Sequence, residues 1–299
     1  MLMIGLVALD SFDGRKPIVV VIGASFIGME SAAMMSKVAE SVTVVGGEST
    51  PLERVLGAKV GNYFRRLHEK NGIAFKLGLG VTGFYGKEDA KEAVGAVELT
   101  DGSRIEADLV IVGVGVSPRT RFCQDSLTLE RDGSIRVDKY MRVVGEEDIY
   151  AAGDIATFPQ YKTSDLVRVE HWDVAQQQGR IAGHNMATSL DPDAALKPYR
   201  SVPFFFSNMF GKSIRFAGDA HTGYDNVIMD GDVETDNGSF AAYYVKGDEV
   251  LSVATVGRDP LAVHCSELFL QDRMPSTSEI QAGKVILDPD ISSHVSSHP

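Results

Sequence analysis

The chain has 299 residues, 44% apolar and 23% charged, the balance of a soluble globular protein with room for two domains. Its formal net charge of -12 argues against a nucleic-acid groove or an anionic membrane surface as partner, because both call for a basic face. The only two cysteines, Cys123 and Cys265, share no short spacing, which excludes a disulfide framework or cysteine-rich metal site and points to a reducing compartment. The cytoplasm is the default, with the mitochondrion as the alternative.

Met1 to Asp10 is an apolar run of about nine residues with no basic segment before it and no small-residue cleavage site after it. It falls far short of the roughly 20 residues that cross a bilayer, so it reads as a strand or buried linker and no membrane span is expected. After a turn at Asp13-Gly14-Arg15-Lys16-Pro17, the apolar run Ile18 to Ile22 predicts a buried strand. It leads straight into Gly23-Ala24-Ser25-Phe26-Ile27-Gly28. A helix follows, with Met29, Ala32, Ala33, Met35 and Val38 apolar, then a second strand from Val42 to Val45.

That order suits a dinucleotide, whose pyrophosphate needs the backbone N–H groups and partial positive charge at a helix start. Gly23 permits the sharp turn off the strand and Gly28 the close packing of helix on sheet. The middle glycine of the usual G-x-G-x-x-G is Ser25. Alone, the pattern is more often an ordinary strand-to-helix turn; with its flanking elements it predicts a nucleotide site at residues 23–28.

A second helix is predicted from a Thr50 cap and Pro51 at its first position, through Val60, Phe64 and Leu67, to a left-handed end at Asn71-Gly72. Ile73 to Lys76 reads as a third strand. A β meander follows, with strands near Gly80–Tyr85, Ala93–Leu99 and Arg104–Ile105 and a type I′ turn at Asp101-Gly102. Asp108 to Val112 is a further buried strand, and Gly113 to Pro118, including Gly115, closes a nucleotide-binding domain over residues 15–118.

Residues 119–200 are expected to hold a hairpin of Ser134–Val137 with Ile149–Ala151, the turn Ala152-Gly153-Asp154, and a helix from about Trp172 to Thr188. Residues 201–299 read as an α+β domain. Its strands are Ser213–Ala217, Asn226–Met229, Ser239–Val245 and Val250–Val256, the last two joined at Lys246-Gly247-Asp248-Glu249. A helix from about Pro260 to Asp272 ends the ordered part, and residues 292–299 form a frayed tail. No internal repeat is visible. The seven histidines show no ligand spacing, so no metal site is expected.

Val19 to Glu30 resembles the NAD(P)H motif of flavin-dependent pyridine nucleotide oxidoreductases, and Ile149-Tyr150-Ala151-Ala152-Gly153-Asp154 resembles their second flavin motif. Within that superfamily the chain is most similar to the apoptosis-inducing-factor-like group, which includes Rieske-fused forms. Thr50 to Gly57, Ala152 to Pro159, His171-Trp172 and Met209 to Gly218 carry that likeness, which runs from Asp13 to about Asp272. The implied fold class is α/β: a Rossmann-like NAD(P)H-binding domain and part of an FAD-binding domain, followed by the C-terminal α+β domain.

The resemblance implies FAD and NADH or NADPH as cofactors. Gly23, Ser25 and Gly28 would hold the NAD(P)H pyrophosphate, and Glu30, in the first turn of the helix, would lie near the nicotinamide and flavin. The competing reading of Glu30 is a carboxylate favoured by the helix dipole. Asp154 would accept a hydrogen bond from the flavin ribityl chain, against the plain alternative of a turn aspartate. Glu170, His171 and Trp172 would sit beside the isoalloxazine ring, with His171 favoured for ring contact; apart from the resemblance, such a histidine is more often a packing residue.

Two departures bear on detail. Gly46-Gly47 replaces the acid that usually ends the second strand, and Glu48, 20 residues after Gly28, would take its place on the ribose 2′-hydroxyl, which favours NADH. The aromatic over the flavin is often tryptophan, whereas Phe204-Phe205-Phe206 stands here; Phe206 is the choice, with core packing an equal alternative. The implied chemistry is hydride transfer from nicotinamide to flavin and electron delivery to an iron-sulfur acceptor of Rieske or ferredoxin type. No thioredoxin-reductase-like C-x-x-C occurs in the NAD(P)H module. The family's first flavin segment is not in the sequence. A gene model starting at an internal methionine is the favoured explanation, ahead of a fragment or a chain that uses a separate partner. The competing function is a non-enzymatic NAD(H)-binding or regulatory fragment without flavin; oligomeric state is open, a homodimer included.

Overall fold

The computed structural model describes residues 12, 14–88, 90, 92–188, 194–221, 223–235 and 237–286. The segment Met1 to Asp10 and the tail 292–299 lie outside them. In chain order the elements are β1 (Ile18–Ile22), α1 (Phe26–Met35), β2 (Ser41–Gly46), α2 (Glu53–Lys70), β3 (Ile73–Leu77), β4 (Val81–Gly86), β5 (Val94–Leu99), β6 (Arg104–Glu106) and β7 (Leu109–Val112). There follow β8 (Ile135–Arg136), β9 (Ala156–Pro159), β10 (Leu166–Val167), α3 (Trp172–Thr188), β11 (Phe204–Met209), β12 (Lys212–Gly218), β13 (Asn226–Gly231), β14 (Phe240–Lys246), β15 (Glu249–Val256), α4 (Leu261–Leu270) and α5 (Thr277–Gln281). The chain divides into two compact units: residues 1–114 with 206–268 and 274–299, and residues 115–205 with 269–273.

The first unit contains a parallel sheet in the order β3-β2-β1-β7. Val19, Val20 and Val21 in its central strand are wholly buried, which is why β1 reads as an unbroken apolar run rather than an alternation. β1 has β2 on one side and β7 on the other, so the strand order reverses there, and crevices for ligands open at the carboxyl ends of strands at such a point. The meander β4-β5-β6 packs against this sheet through a core that joins Val20, Ile22 and Val45 to Val97, Leu99 and Ala107.

The same unit includes a five-stranded sheet, β11-β12-β15-β14-β13. Helix α2 meets it by specific contacts. Tyr63 stacks edge-on against Phe240 at 5.1 Å, and Arg66 Nη2 donates to the Val233 carbonyl at 2.6 Å. Tyr244 Oη donates to the Leu56 carbonyl at 2.7 Å, just before Gly57 interrupts the helix with φ 68° and ψ 172°. The broken turn leaves a carbonyl in need of a donor, and the tyrosine supplies it. His68 is fully buried between α2 and α1, its Nδ1 2.7 Å from the Phe64 carbonyl and its Nε2 3.1 Å from that of Met29.

The second unit holds the small sheet β10-β9-β8 and α3 over a core that includes Ile135, Val137, Met141, Phe158, Val174 and Tyr199. Asn185 is buried and its carboxamide meets Tyr140 O, Lys197 O and Lys197 N, tying α3 to two loops.

Several local expectations change. Ile135–Arg136 pairs in parallel with Ala156–Thr157, so the expected hairpin with Ile149–Ala151 does not form; Ile149 and Ala151 instead bond the Val143 and Met141 segment. Thr50 does not cap α2. The Glu53 carboxylate accepts from Ser49 N, Ser49 Oγ and Thr50 N, and Leu52 stands at the cap position with φ 60°. Those donors, Ser49 foremost, hold the Glu53 carboxyl below its ordinary range. The Asp101-Gly102 turn is not type I′, which needs φ > 0 at both residues: only Gly102 is positive, at 81°, and Asp101 Oδ1 accepts from Ser103 N. The predicted terminal helix ends at Leu270, and a further short helix, α5, begins at a Ser276–Glu279 capping box.

Candidate functional site

The turn between β1 and α1 is made by backbone lying on backbone. Gly23 has φ 106°, and a Cβ there would come 2.3 Å from the Gly113 carbonyl oxygen; one on Gly28 would come 1.9 Å from the Gly23 oxygen. Only glycine fits at either place. Hydrogen bonds from Gly23 N to Val45 O and from Gly113 N to Ile22 O, both 2.7 Å, pin the turn to β2 and to the end of β7. Ala24 is buried, Phe26 half-buried, and Ser25 and Ile27 are exposed.

Ser25 occupies the helix cap position but makes no side-chain cap bond; its hydroxyl donates to the Gly113 carbonyl at 3.2 Å. The side chain that replaces the middle glycine is thereby turned off the helix axis, and the N-terminus keeps its dipole for an anion. Gly113 is a part of this site that the sequence reading passed over in favour of Gly115. Gly115 has φ 109° and nothing near its Cβ direction. The signal was present in the Gly-x-Gly spacing after β7, but which glycine faces the turn depends on where β7 ends.

Glu30 lies past the first turn of α1, which contains no acid, because the helix starts at Phe26. This corrects the expected first-turn position, and it removes the dipole account of Glu30, since that effect fades within one turn. Its Oε1 accepts from Ser207 Oγ at 2.6 Å, a contact 177 residues away in sequence.

At the end of β2, Gly46 is needed for packing: a Cβ would come 2.9 Å from that of Ala24. An acidic side chain therefore has no room at this point, and Glu48 follows two residues later. Its Oε1 is paired with Arg54 Nε at 2.8 Å, and the Arg54 side chain is 86% exposed. Sequence spacing found no arginine here because Arg54 is brought in by the start of α2.

In the second unit, Gly153 is buried with φ 80°, and its N–H donates to Gln178 Oε1 on α3 at 2.8 Å. Gln178 Nε2 is buried and has no partner among the described residues. A short 3-10 helix starts at Gly153 without a side-chain cap, and Asp154 is exposed on it. Arg168 Nη1 donates to the Asp154 carbonyl at 3.3 Å and also pairs with Glu170, while its Nε reaches Asp132 at 2.8 Å. The Gly153-Asp154 turn is thus held from below by Gln178 and from the side by Arg168, neither of which the sequence reading singled out.

His171 Nδ1 accepts from Asp173 N at 3.3 Å, so the ring covers a donor in the first turn of α3, and it lies 6.4 Å from the Phe205 ring. An acceptor Nδ1 places the proton of a neutral imidazole on Nε2. Trp172 and Phe206 are each 72% exposed. Phe206 is therefore not a core residue, which overturns the packing alternative. An uncapped turn with an exposed carboxylate, followed by an exposed tryptophan and a half-buried histidine, fits the polar chain and flat ring of a flavin.

Both cysteines are buried and free, and burial pushes the Cys265 thiol up to about 12, so Cys265 is not a reactive thiolate. Among the described residues no group of His, Cys, Asp and Glu could hold a metal, and no helix is long and apolar enough to cross a membrane.

Residues 9–179 match the family model described as pyridine nucleotide-disulphide oxidoreductase, and residues 204–288 match the one described as reductase C-terminal. Human apoptosis-inducing factor 3 is 38% identical over 266 residues, which is 88% of this chain and 42% of that protein. Putidaredoxin reductase of Pseudomonas putida is 32% identical over 256 residues, 86% of this chain and 58% of that protein. The chain spans about half the length of these curated relatives. A solved ferredoxin reductase from Rhodopseudomonas palustris superposes with a TM-score of 0.82 at 30% identity, covering 98% of this chain and 68% of that one. A covalent putidaredoxin reductase–putidaredoxin complex gives 0.81 at 28% identity, covering 95% and 65%.

Proposed function

The chain belongs to the pyridine nucleotide-disulphide oxidoreductase family, a family of FAD-dependent oxidoreductases, and on that premise we propose that it is the NADH-binding and flavin-facing part of an NAD(P)H oxidoreductase that delivers electrons to an iron-sulfur protein. The observation that carries this reading is the close stack of Gly23, Gly28 and Gly113 at the start of a helix whose cap residue, Ser25, makes no side-chain cap bond.

The pyrophosphate would lie against residues 23–28, and Glu30 would face the nicotinamide end. Asp154 would hold a ribityl hydroxyl, with Glu170, His171 and Trp172 beside the ring and the Gly115 segment bordering the cofactor; Phe206, exposed on β11, is proposed by itself as a cofactor-contacting aromatic. FAD, when bound, supplies two-electron acceptance and one-electron release. The protein's own part is to bind each of the two groups. Two relatives support the acceptor proposed: one is a ferredoxin reductase, and another is found joined to putidaredoxin. The segments 15–118, 119–200 and 201–299 are proposed as the NAD(P)H-binding, flavin-binding and C-terminal parts.

NADH is favoured over NADPH because the Glu48 carboxylate would accept a hydrogen bond from the ribose 2′-hydroxyl and repel a 2′-phosphate. Arg54 offsets part of that repulsion, so Arg54→Ala should raise the NADH-to-NADPH affinity ratio several-fold. The deciding experiment is to purify the chain, record its visible spectrum and titrate it with NADH. Flavin absorbance that bleaches on NADH addition is expected; colourless protein that still binds NADH would instead support a non-enzymatic NAD(H)-binding or regulatory role without flavin.

A further inference from the structure

We infer that Ser207, in the C-terminal module, is a positioning residue that sets the Glu30 carboxylate for the nicotinamide end of the dinucleotide; this rests on the reading of residues 23–30 given above. Along β11 the exposure alternates, with Phe206 and Asn208 exposed and Ser207 and Met209 buried, so Ser207 is directed inward by the strand and not by its own preference. Ser207 is 4% exposed and Glu30 is half-buried. The hydroxyl donates to Glu30 Oε1 at 2.6 Å, within the range of a charge-assisted O–H···O⁻ bond.

A serine hydroxyl has one proton, and here it is spent on Glu30. The other carboxylate oxygen, Oε2, has no partner among the described residues. Glu30 therefore has one oxygen anchored and one open, and an ionised carboxylate only accepts. The complementary group on a nicotinamide nucleotide is the carboxamide NH2. Losing the Ser207 bond frees the Glu30 side chain to rotate away from that donor, so the C-terminal module contributes to nucleotide affinity without touching the nucleotide.

The test compares NADH with ADP-ribose, which has the same adenosine and pyrophosphate but no nicotinamide, by titration of the full chain and of Ser207→Ala, Ser207→Thr and Glu30→Ala. Ser207→Ala should weaken NADH about tenfold, the loss of one hydrogen bond to a charged group, and leave ADP-ribose within about twofold. Ser207→Thr, which keeps the hydroxyl, should restore NADH affinity. In the Glu30→Ala background, Ser207→Ala should add nothing, since the two act through one contact. The inference is overturned if Ser207→Ala leaves NADH unchanged, weakens ADP-ribose equally, or still weakens NADH when Glu30 is alanine. A wild-type chain that binds neither ligand sinks the site reading itself. One that binds both with no Ser207 effect sinks only the inference.

Discussion

At residues 23–28 the chain turns by laying backbone on backbone, whereas at Gly153-Asp154 it turns because distant side chains hold it. A Cβ on Gly28 would stand 1.9 Å from a carbonyl oxygen, while one on Gly153 would meet the Ala175 Cβ at 3.3 Å, so that Gly153 is required by its φ of 80° and not by backbone contact. Conversely, the Gly153 N–H depends on Gln178, 25 residues away in sequence, whereas the Ser25 hydroxyl at the first turn makes a weak bond to Gly113. The first turn is set by what its residues lack, the second by what other residues supply. The two should therefore fail under different substitutions.

The largest effect is expected from Gly28→Ala. The clash is with backbone and cannot be relieved by a rotamer change, so a loss of about 3 kcal/mol in stability and of NADH binding should appear in denaturant unfolding and titration. Gly47→Ala is the control from the same sheet edge. Nothing lies within 4 Å of its Cβ direction, and a change under about 0.5 kcal/mol is expected.

Next comes Asp108, which anchors the strand that feeds the first turn. Its carboxylate accepts from Arg15 through both oxygens, from Ile18 N at 3.0 Å and from Lys87 at 2.7 Å, with Arg15 the chief cause holding its carboxyl far below the ordinary carboxylate range. The folded state thus binds the proton more weakly than the unfolded one. This stabilisation is complete above the unfolded carboxyl value and is lost as pH falls below about 4. Asp108→Asn should cost about 2 kcal/mol at neutral pH and flatten that acid limb in a series of thermal unfolding scans.

Gln178→Leu probes the second turn. It strands the buried Gly153 N–H, but it also removes the Nε2 donor that is already unsatisfied, so the net cost should be about 1 kcal/mol and not the full penalty of a lost acceptor. Flavin content should fall while NADH affinity holds, the reverse of Gly28→Ala.

The smallest effect is a pH dependence at His68. Burial is the main cause lowering its pKa, opposed by the Phe64 and Met29 carbonyls. The folded state therefore prefers the neutral ring; stability present above about pH 6.5 is lost as the pH falls through the lower folded value. The thermal midpoint should drop by a few degrees toward pH 5 in wild type, and His68→Leu should remove that part of the slope.

Local pattern made the first turn legible. The buried run Ile18–Ile22, the glycines at 23 and 28 and the helix after them are properties of adjacent residues, and the parallel sheet followed from them. The Lys246–Glu249 turn between β14 and β15 was legible for the same reason. The hairpin assigned to Ser134–Val137 was wrong because a two-residue strand has too little pattern to choose its partner. The parallel pairing of Ile135 with Ala156 is a choice made by the core around Met141 and Phe158. Arg54 escaped notice because a residue's distance from Glu48 along the chain does not measure its distance across a turn.

What sequence alone determined about this protein is the order of its elements, the glycine positions that a dinucleotide turn demands, and the family whose motifs it carries. These are short-range facts: steric exclusion at Gly23 and Gly28 and the apolar periods of strand and helix act within a few residues. Only the tertiary structure decided that Gly113 completes the turn, that Ser25 turns aside, that Gln178 and Arg168 hold Gly153-Asp154, and that Ser207 reaches Glu30. Each is a hydrogen bond or contact between segments far apart in the chain, and such pairings exist only once the packed sheets and helices have brought their partners within about 3 Å.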